Sequence, residues 1–406
     1  MTARMFSIGD YETAARRRLP ACVWEFLSGG VEDNVSRDRN AQAFDRWALV
    51  PRMLVDVSEV DASVEVFGQR FAAPIGMPPT GVTAIYRPRC DAMLARQFHA
   101  AGLPYIISGA STVPLEELAK LHPGCWYQGY FSSDRPLLDR ICARLEAAGI
   151  EVLVVTADVP VAANRENIAR HDFTIPFKTT WRVALDGLMH PRWMAETLIP
   201  TLRDGGAPRF ANQTDVMGPR IIDDAPRSFR GGRDRLDWDD IAWLRERWKG
   251  RLVIKGVLHP GDAVRAAEIG CDGVVVSNHG GRQLDRGPGG LDALPGVVAA
   301  AGDRLTVMLD GGVRRGSHAL IARALGAKMV FAGRPFLWGA AARGEAGLAH
   351  VIELFRKEIG IDLALMGVPR AADIGAEHVT RADVPADIPP GLAAADGARP
   401  GYLGAA

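Results

Sequence analysis

Eight short apolar runs, separated by segments of helical periodicity, constrain the fold of this chain more than any other feature. Several runs are apolar at nearly every position, as parallel strands are when helices cover both faces of their sheet. The runs are Ala73–Met77, Tyr105–Ile107, Cys125–Tyr130, Val152–Thr156, Leu252–Lys255, Gly273–Ser277, Leu305–Asp310 and Met329–Ala332. The amphipathic segments between them include Pro136–Ala148, Ala263–Ile269 and Ser317–Leu325, each followed by a glycine that suits a helix C-terminus. This alternation predicts an α/β fold, the (β/α)₈ TIM barrel.

A doubly wound α/β sheet is the alternative fold. It is the weaker prediction because polar and charged residues follow many of the strands instead of collecting at one crevice. Outside the strands, we predict a helical extension over 1–72, an insertion over 174–236 after the fourth strand of the 73–380 barrel, and a loosely ordered tail over 381–406. The extension is expected to contain helical and turn elements, with a helix signal in Tyr11–Leu27, and the insertion carries an apolar stretch at Trp193–Leu202. Insertions of this length are commonly lids, partner surfaces or disordered segments.

Charge and cysteine content exclude several classes of protein. The 48 Lys and Arg residues balance 48 Asp and Glu residues without a block of like charge, which argues against nucleic-acid binding and favours a small-molecule ligand. The 5 cysteines form no C-x-x-C pair, so we predict neither a disulfide framework nor a metal site. No signal peptide and no run of apolar residues long enough to span a membrane is present, which predicts a cytoplasmic protein.

Two glycine- and arginine-rich loops follow the seventh and eighth predicted strands, at Asp310–Gly316 and Ala332–Arg334. Loops at these positions of a barrel commonly bind phosphate, because glycines let backbone N–H groups approach an anion and arginine adds charge. The loops predict a phosphorylated ligand. Ordinary turns with solvated arginines are the alternative, and no G-x-G-x-x-G pattern supports a Rossmann dinucleotide site.

A second polar segment, Ser277-Asn-His-Gly-Gly-Arg-Gln-Leu-Asp285, follows the sixth predicted strand. His279 titrates near neutrality, and Arg282 can pair with a carboxylate through its planar fork. A histidine in a loop can also be purely structural, but its place at a strand end between glycines favours a catalytic base beside a carboxylate anchor.

This segment resembles the active-site sequence of the FMN-dependent 2-hydroxy-acid oxidases and dehydrogenases. The resemblance extends over nearly the whole chain, in the order that the family requires. Its other motifs are Pro51–Ser58, Pro79–Gly81, Tyr127–Tyr130, Thr156–Pro160, Asn164–Glu166, Val253–Gly256, Asp310–Gly316 and Gly333-Arg334. The resemblance implies one bound FMN and oxidation of an (S)-2-hydroxy acid, lactate- or mandelate-like, to the 2-oxo acid by hydride transfer to flavin N5.

The resemblance also implies roles for the site residues. His279 would take the substrate's hydroxyl proton, or the α-proton in a carbanion mechanism, and Asp158 would stabilise the resulting imidazolium. Arg282 and Arg165 would clamp the substrate carboxylate, and Tyr130 would hydrogen-bond the substrate. From the residues alone, Asp158 could instead cap a helix and Tyr130 could be a core residue.

The resemblance assigns a larger set of residues to the cofactor. Lys255 would lie beside the flavin N1/C2=O edge, where its charge stabilises the electron-rich reduced ring. The polar residues Thr80, Ser108, Gln128 and Thr156 would bind the flavin ring and the ribityl chain. The cofactor-binding residues are expected to be Pro79, Thr80, Gly81, Ser108, Gln128, Thr156, Lys255, Ser277, Asp310, Gly312, Arg314, Gly333 and Arg334.

The chain departs from the family pattern at several positions. Phe26 stands where relatives usually have a substrate-binding tyrosine, and Arg87–Asp91 replaces a stretch like H-P-x-G-E, which leaves the loop after the first strand open. Ala110 and Ala162 are smaller than their counterparts in glycolate oxidases, which predicts a wider substrate pocket. Gly81 resembles the mandelate dehydrogenase form.

Three other functions stay open at this point. The chain could be a divergent member that oxidises a bulkier or peptide-derived substrate, a Schiff-base aldolase that uses Lys255, or a non-catalytic sensor of a phosphorylated ligand. The electron acceptor could be oxygen, a quinone or a carrier protein. The resemblance also implies a homo-oligomer, since a tetramer is typical of the family. Trp181, Trp193 and neighbouring arginines of the insertion suit peripheral attachment at the inner face of a membrane, although apolar residues at helical spacing are more often packed.

Overall fold

The computed structural model describes residues 4–224 and 231–382, and its centre is a barrel of parallel strands. The strands are β1 (Trp47–Leu49), β2 (Val64–Val66), β3 (Gln69–Phe71), β4 (Ile75–Gly76), β5 (Ile106–Ser108), β6 (Trp126–Gly129), β7 (Val152–Thr156), β8 (Arg251–Val257), β9 (Gly273–Val276), β10 (Thr306–Asp310), β11 (Met329–Phe331) and β12 (Val379–Arg381). Eight of them pair in the order β4-β11-β10-β9-β8-β7-β6-β5. A parallel bridge between Met77 and Tyr105 joins the two ends of this order, so the sheet closes. The predicted (β/α)₈ fold is confirmed.

The eight barrel strands overlap the eight predicted apolar runs. Their bounds differ most at β4 and β8. β4 is shorter than Ala73–Met77 because Pro74 and Pro78, which have no N–H group, flank it. β8 is longer than Leu252–Lys255, and its pairing with β9 shifts register between Lys255 and Val257.

The helices surround the barrel and build the N-terminal extension. They are α1 (Ile8–Arg18), α2 (Ala21–Ser28), α3 (Val35–Gln42), α4 (Cys90–Ala100), α5 (Leu115–Leu121), α6 (Arg135–Ala147), α7 (Glu166–Ala169), α8 (Trp181–Leu188), α9 (Pro191–Trp193), α10 (Ile199–Arg203), α11 (Trp238–Arg247), α12 (Pro260–Ile269), α13 (Gly290–Ala301), α14 (Gly316–Ala324) and α15 (Arg334–Met366). α15 is interrupted at Arg343 and Gly344, whose backbone is not helical.

The helix signal in Tyr11–Leu27 corresponds to two helices, because Pro20 interrupts the helical backbone. α1 ends before Leu19, and Pro20, which cannot donate to the helical ladder, precedes α2. The extension also contains strands, which the expectation of helices and turns omitted: β1 pairs with β12, and β2 pairs with β3.

The insertion after β7 is partly helical and is fastened to the barrel. A π-helical turn over Met194–Leu198 joins α9 to α10. Glu196 in this turn pairs with Arg18 of α1 and with Arg87, each at 2.7 Å. Trp193 is 9% exposed and donates to the carbonyl of Ile85, so its expected place on an interfacial surface is wrong.

None of the helices in the described ranges is long and apolar enough to cross a membrane. The division into 1–72, 73–380 and 381–406 stays a prediction, and residues 383–406 of the predicted tail lie outside the described residues.

Candidate active site

A cavity of about 610 Å³ opens where the barrel strands end, the place where barrel enzymes keep their active sites. Most of the predicted site residues line it. They are Phe26, Pro79, Thr80, Gly81, Tyr130, Arg165, Lys255, His279, Arg282, Asp310, Gly312, Arg314, Gly333 and Arg334. The other five, Ser108, Gln128, Thr156, Asp158 and Ser277, are not among the lining residues and lie behind the wall or beside it.

A histidine–aspartate pair stands at the end of β7 and β9. The Nδ1 atom of His279 lies 2.9 Å from Oδ1 of Asp158. Room for this pair comes from Gly256, at the register shift of β8: its φ is +104°, and a Cβ atom there would lie 2.6 Å from the Cβ of Asp158. Only glycine accepts both that backbone conformation and that approach.

The surroundings of His279 keep its imidazole neutral. Burial lowers its pKa, and the charges of Lys255 and Arg165 lower it further, although Asp158 acts in the opposite direction. With its proton on Nδ1 and donated to Asp158, the ring keeps a basic lone pair on Nε2. The pair can therefore accept a proton at Nε2 and stabilise the cation that forms.

Two partly buried arginines lie beside this pair without a carboxylate partner in the described parts of the chain. Arg165 donates to the carbonyl of Arg282 and to Oε1 of Gln283, at 3.2 and 3.0 Å, and Arg282 donates to the carbonyls of Leu27 and Gly29. Burial and the repulsion of Arg282 lower the pKa of Arg165 to about 9. Buried cations that repel each other are stabilised by an anion, so this is a candidate carboxylate site.

Tyr130 lies between the histidine and another arginine. Its ring centroid is 6.3 Å from that of His279, and the Arg233 guanidinium lies 4.8 Å from the Tyr130 ring. Burial raises the pKa of the Tyr130 hydroxyl, so that group stays protonated and can donate a hydrogen bond.

Lys255, at the end of β8, is held as a cation on the cavity wall. Its Nζ lies 2.8 Å from Asp310 and 2.9 Å from the Ser277 hydroxyl, which donates in turn to Asp310. Burial opposes the charge, but Asp310 and Asp158 overcome it and raise the pKa of Lys255. This lysine is a fixed positive charge and not a nucleophilic amine.

A second pair of partly buried arginines belongs to the loops after β10 and β11. Arg314 stacks on Trp338 at 5.0 Å, and Arg334 donates to the carbonyls of Leu27, Gly29 and Gly280. Burial lowers the pKa of Arg314 to about 10, and burial and the repulsion of Arg314 lower that of Arg334.

Backbone geometry in these loops also suits an anion. Gly312 has a φ of +80°, and a Cβ there would lie 2.0 Å from the carbonyl of Asn40. α15 begins at Arg334, directly after Gly333 on the cavity wall, and a helix N-terminus favours negative charge. The arrangement is a candidate phosphate site.

An apolar wall faces these charges. Phe26 stacks on Phe173 with ring centroids 4.5 Å apart, and the Arg282 guanidinium lies 5.4 Å from the Phe26 ring. Other apolar side chains on the wall are Val82, Ala110, Val161, Ala162, Ile175 and Phe210. Ile175 and Phe210 belong to the insertion, which therefore forms part of the cavity.

Sequence reasoning missed the residues that hold the loop after β9. α3 has no side-chain cap of its own, and Asp285 accepts hydrogen bonds from the backbone N–H groups of Val35 and Ser36 at its start. Asn40 of α3 donates to Asn278 and accepts from the N–H of Gly290. In the sequence these contacts are marked only by an aspartate in a loop and by an asparagine inside a predicted helix. Neither residue type indicates which distant segment it will contact.

Two further features were missed. Gln283 accepts from Arg165 and donates to the carbonyl of Asp158, so it links the carboxylate site to the base. The loop after β4, left open by the departure at Arg87–Asp91, is held by buried Asp91, which accepts from the Thr83 hydroxyl and from the N–H and hydroxyl of Thr112.

Comparison with known proteins identifies the family. The sequence model of the FMN-dependent dehydrogenase family matches residues 15–381. The chain belongs to this family. The predicted membership among FMN-dependent 2-hydroxy-acid oxidases and dehydrogenases is confirmed, and so is FMN as the cofactor.

Individual relatives of this FMN-dependent dehydrogenase match nearly end to end. An L-lactate dehydrogenase of Caulobacter vibrioides is 39% identical over 383 residues, 93% of this chain and 99% of the relative. An (S)-mandelate dehydrogenase of Pseudomonas putida is 35% identical over 380 residues, 93% and 95% of the two chains. A crystal structure of a monotopic membrane protein, (S)-mandelate dehydrogenase, superimposes with a TM-score of 0.85 at 34% identity, over 93% of this chain and 100% of that one.

The residues present fit FMN. Three buried polar atoms at predicted cofactor positions, Oγ1 of Thr80, Nε2 of Gln128 and Oγ1 of Thr156, have no partner within the described chain. The Ser108 hydroxyl donates to Oε1 of Gln128 and so leaves the amide nitrogen for another acceptor. A flavin ring offers both acceptors and a donor, and the partly buried arginines Arg314 and Arg334 suit its phosphate.

Proposed function

We propose that this FMN-dependent dehydrogenase oxidises an (S)-2-hydroxy acid, lactate- or mandelate-like, to the 2-oxo acid. One observation carries the proposal: His279, which is paired with Asp158, lines the same cavity as Arg165 and Arg282, two arginines without a carboxylate partner among the described residues. A base beside a carboxylate clamp is what removal of a hydroxyl proton from a 2-hydroxy acid requires.

The chain's own residues divide the work. Arg165 and Arg282 orient the substrate by its carboxylate, and Tyr130 donates a hydrogen bond to the substrate. His279 accepts the hydroxyl proton at Nε2, and Asp158 stabilises the imidazolium. FMN, when bound, supplies the hydride acceptor at N5.

Cofactor binding is proposed for residues from several strand ends and loops of the barrel. Lys255, held by Asp310 and Ser277, supports negative charge on the flavin ring, and Gly312, Arg314, Gly333 and Arg334 bind the phosphate. The remaining proposed contacts to the ring and the ribityl chain are Pro79, Thr80, Gly81, Ser108, Gln128 and Thr156.

The apolar wall favours a substrate with an apolar side chain. Phe26 offers no hydroxyl, and Ala110 and Ala162 leave space beside it. The relatives named above include both a lactate and a mandelate dehydrogenase, and this wall favours the mandelate-like or a bulkier compound.

The geometry disfavours a Schiff-base aldolase. Such a lysine attacks as a neutral amine, whereas Lys255 is paired with Asp310 and its pKa is raised. A non-catalytic sensor differs from the proposed enzyme in one measurable respect: its flavin would not be reduced by any 2-hydroxy acid.

Peripheral membrane attachment through the insertion belongs to the proposal. α8 and the chain after it expose Trp181, Leu185, Leu188 and Met189, with Arg182 and Arg192 nearby, a composition that suits a membrane surface. The matching crystal structure is of a monotopic membrane protein.

Anaerobic titration tests the function. The purified yellow protein should bleach with lactate, mandelate or a longer (S)-2-hydroxy acid and should form the 2-oxo acid in equal amount. His279→Gln should keep its flavin but bleach roughly 10²–10⁴-fold more slowly, because it lacks the base. Bleaching by none of these acids, or full-rate bleaching in the variant, would overturn the proposal.

A further inference from the structure

Gln213 lines the cavity, and its buried Oε1 atom makes no hydrogen bond within the described chain. Gln213 is 8% exposed. In the unfolded chain water would bond this oxygen, so its burial without a partner is unfavourable unless a ligand restores a bond.

The backbone beside this amide is firmly held, so a loosely placed loop does not explain its position. The neighbouring Asn212 accepts from the N–H of Leu115 at 2.8 Å and donates to Ser111 and Val113 at 2.6 and 2.8 Å. Its carbonyl accepts from the buried Tyr127 hydroxyl at 2.6 Å. These bonds fix the segment to the ends of β5 and β6.

The insertion also brings apolar side chains to the cavity. Phe210, three residues earlier, packs with Val82 and Ile221 in a cluster of its own, and Phe26 and Ala110 pack against it. A cavity that offers these apolar side chains and one unsatisfied amide oxygen is suited to an apolar group that carries a hydrogen-bond donor.

We propose that Gln213 determines substrate specificity by accepting a hydrogen bond from a hydroxyl or N–H group on the apolar side chain of the 2-hydroxy acid. The substrate class is then an aromatic 2-hydroxy acid with a donor on its ring, such as a hydroxymandelate. The inference rests on the proposed function, because it uses the same cavity for the substrate's side chain.

A net neutral hydrogen bond changes binding by about two- to tenfold, and a site with an otherwise unpaired polar group discriminates more strongly. We therefore expect the better of (S)-3-hydroxy- and (S)-4-hydroxymandelate to exceed (S)-mandelate in kcat/KM by at least about tenfold. The matching methoxymandelate, which has no donor, should not share the gain.

Variants locate the effect. In Gln213→Leu the ratio of hydroxymandelate to mandelate efficiency should fall to near one, whereas Gln42→Leu, an exposed glutamine at the end of α3, should keep the ratio of the unaltered enzyme. Binding gives a readout without turnover: dissociation constants of phenylacetate and the hydroxyphenylacetates, followed by the flavin spectrum, should show the same preference and its loss. The comparison of hydroxy with methoxy compounds in the unaltered protein needs no variant.

The outcomes separate the two proposals. Bleaching by mandelate without any advantage for a hydroxymandelate, or an advantage that survives in Gln213→Leu, overturns the role of Gln213 and leaves the proposed function standing. An advantage shared by methoxymandelate overturns the donor assignment. Bleaching by no 2-hydroxy acid overturns both proposals.

Discussion

At the scale of single residues, the surroundings of His279 and Asp158 determine the charge state of each side chain. His279 is kept neutral by burial and nearby cations, whereas the histidine and Lys255 lower the pKa of Asp158 against the effect of its burial. The pair therefore rests as neutral imidazole and carboxylate, the state in which a base is ready and its cation is already compensated. Oδ2 of Asp158 has no partner among the described residues, so the bond to His279 is the main contact of that carboxylate.

Asp158→Asn should slow flavin reduction by roughly 10²- to 10⁴-fold, because the imidazolium loses its counter-charge. The charge of Asp158 raises the His279 pKa, so its removal should lower that pKa and move the acidic limb of the rate profile to lower pH. Anaerobic stopped-flow reduction between about pH 5 and 8 measures both effects. Asp139→Asn, at an exposed carboxylate, is the control. A limb that moves to higher pH would contradict the assignment.

Phe26→Tyr should lower kcat/KM for (S)-mandelate and spare lactate. Phe26 lies against Phe173 on the apolar wall, and a hydroxyl placed there without a partner is unfavourable by about 1–3 kcal/mol. Steady-state kinetics with both acids, alongside Phe6→Tyr at an exposed position, decide the matter. A gain for mandelate would mean that the new hydroxyl reaches the carboxylate instead, and no change for either acid would remove Phe26 from the substrate pocket.

At the scale of elements, the C-terminal end of α2 supports both anion sites. The carbonyls of Leu27 and Gly29 accept from Arg282 at the candidate carboxylate site and from Arg334 at the candidate phosphate site. Carbonyls at a helix end carry partial negative charge, so they stabilise two partly buried guanidinium groups that no carboxylate in the described chain neutralises. The N-terminal extension thus belongs to the function of the barrel.

Neighbouring arginines in the loop after β10 give a matched test of the phosphate site. Arg314 lines the cavity, whereas Arg315 points away and pairs with Glu358 at 3.0 Å. Arg314→Met should weaken FMN binding by about 10- to 150-fold, the value of a hydrogen bond to a charged group, and leave riboflavin binding unchanged. Fluorescence titration of the flavin-free protein with both ligands measures this, with Arg315→Met as the control. Equal losses for FMN and riboflavin would place the phosphate elsewhere.

At the scale of the whole molecule, the sequence predicted what depends on local pattern. The apolar runs predicted the barrel. The residues at and directly after their ends predicted that His279, Lys255 and the loop arginines lie at one site, since strand ends converge in this fold. Contacts between distant segments carried no such pattern: the cap that Asp285 places on α3, the α2 carbonyls and the amide of Gln213 became visible only in the folded chain. Trp193 shows the same limit, because periodicity gives a helix an apolar face but does not say what covers it.

The exposed apolar face of the insertion gives the last prediction. Trp181, Leu185 and Leu188 are 73%, 50% and 65% exposed on α8, in the same insertion as Glu196, which pairs with Arg87. Burying three such side chains in a membrane interface is favourable by about 1.5–3 kcal/mol each at full burial, so replacing all three with serine should weaken binding to phosphatidylglycerol-containing vesicles at least about tenfold. Leu54→Ser with Leu365→Ser, two exposed leucines outside the insertion, should bind as the unaltered protein does. Vesicle co-sedimentation at low and high salt measures the partition, and equal weakening by both sets of substitutions would show that general surface hydrophobicity, and not α8, brings the protein to the membrane.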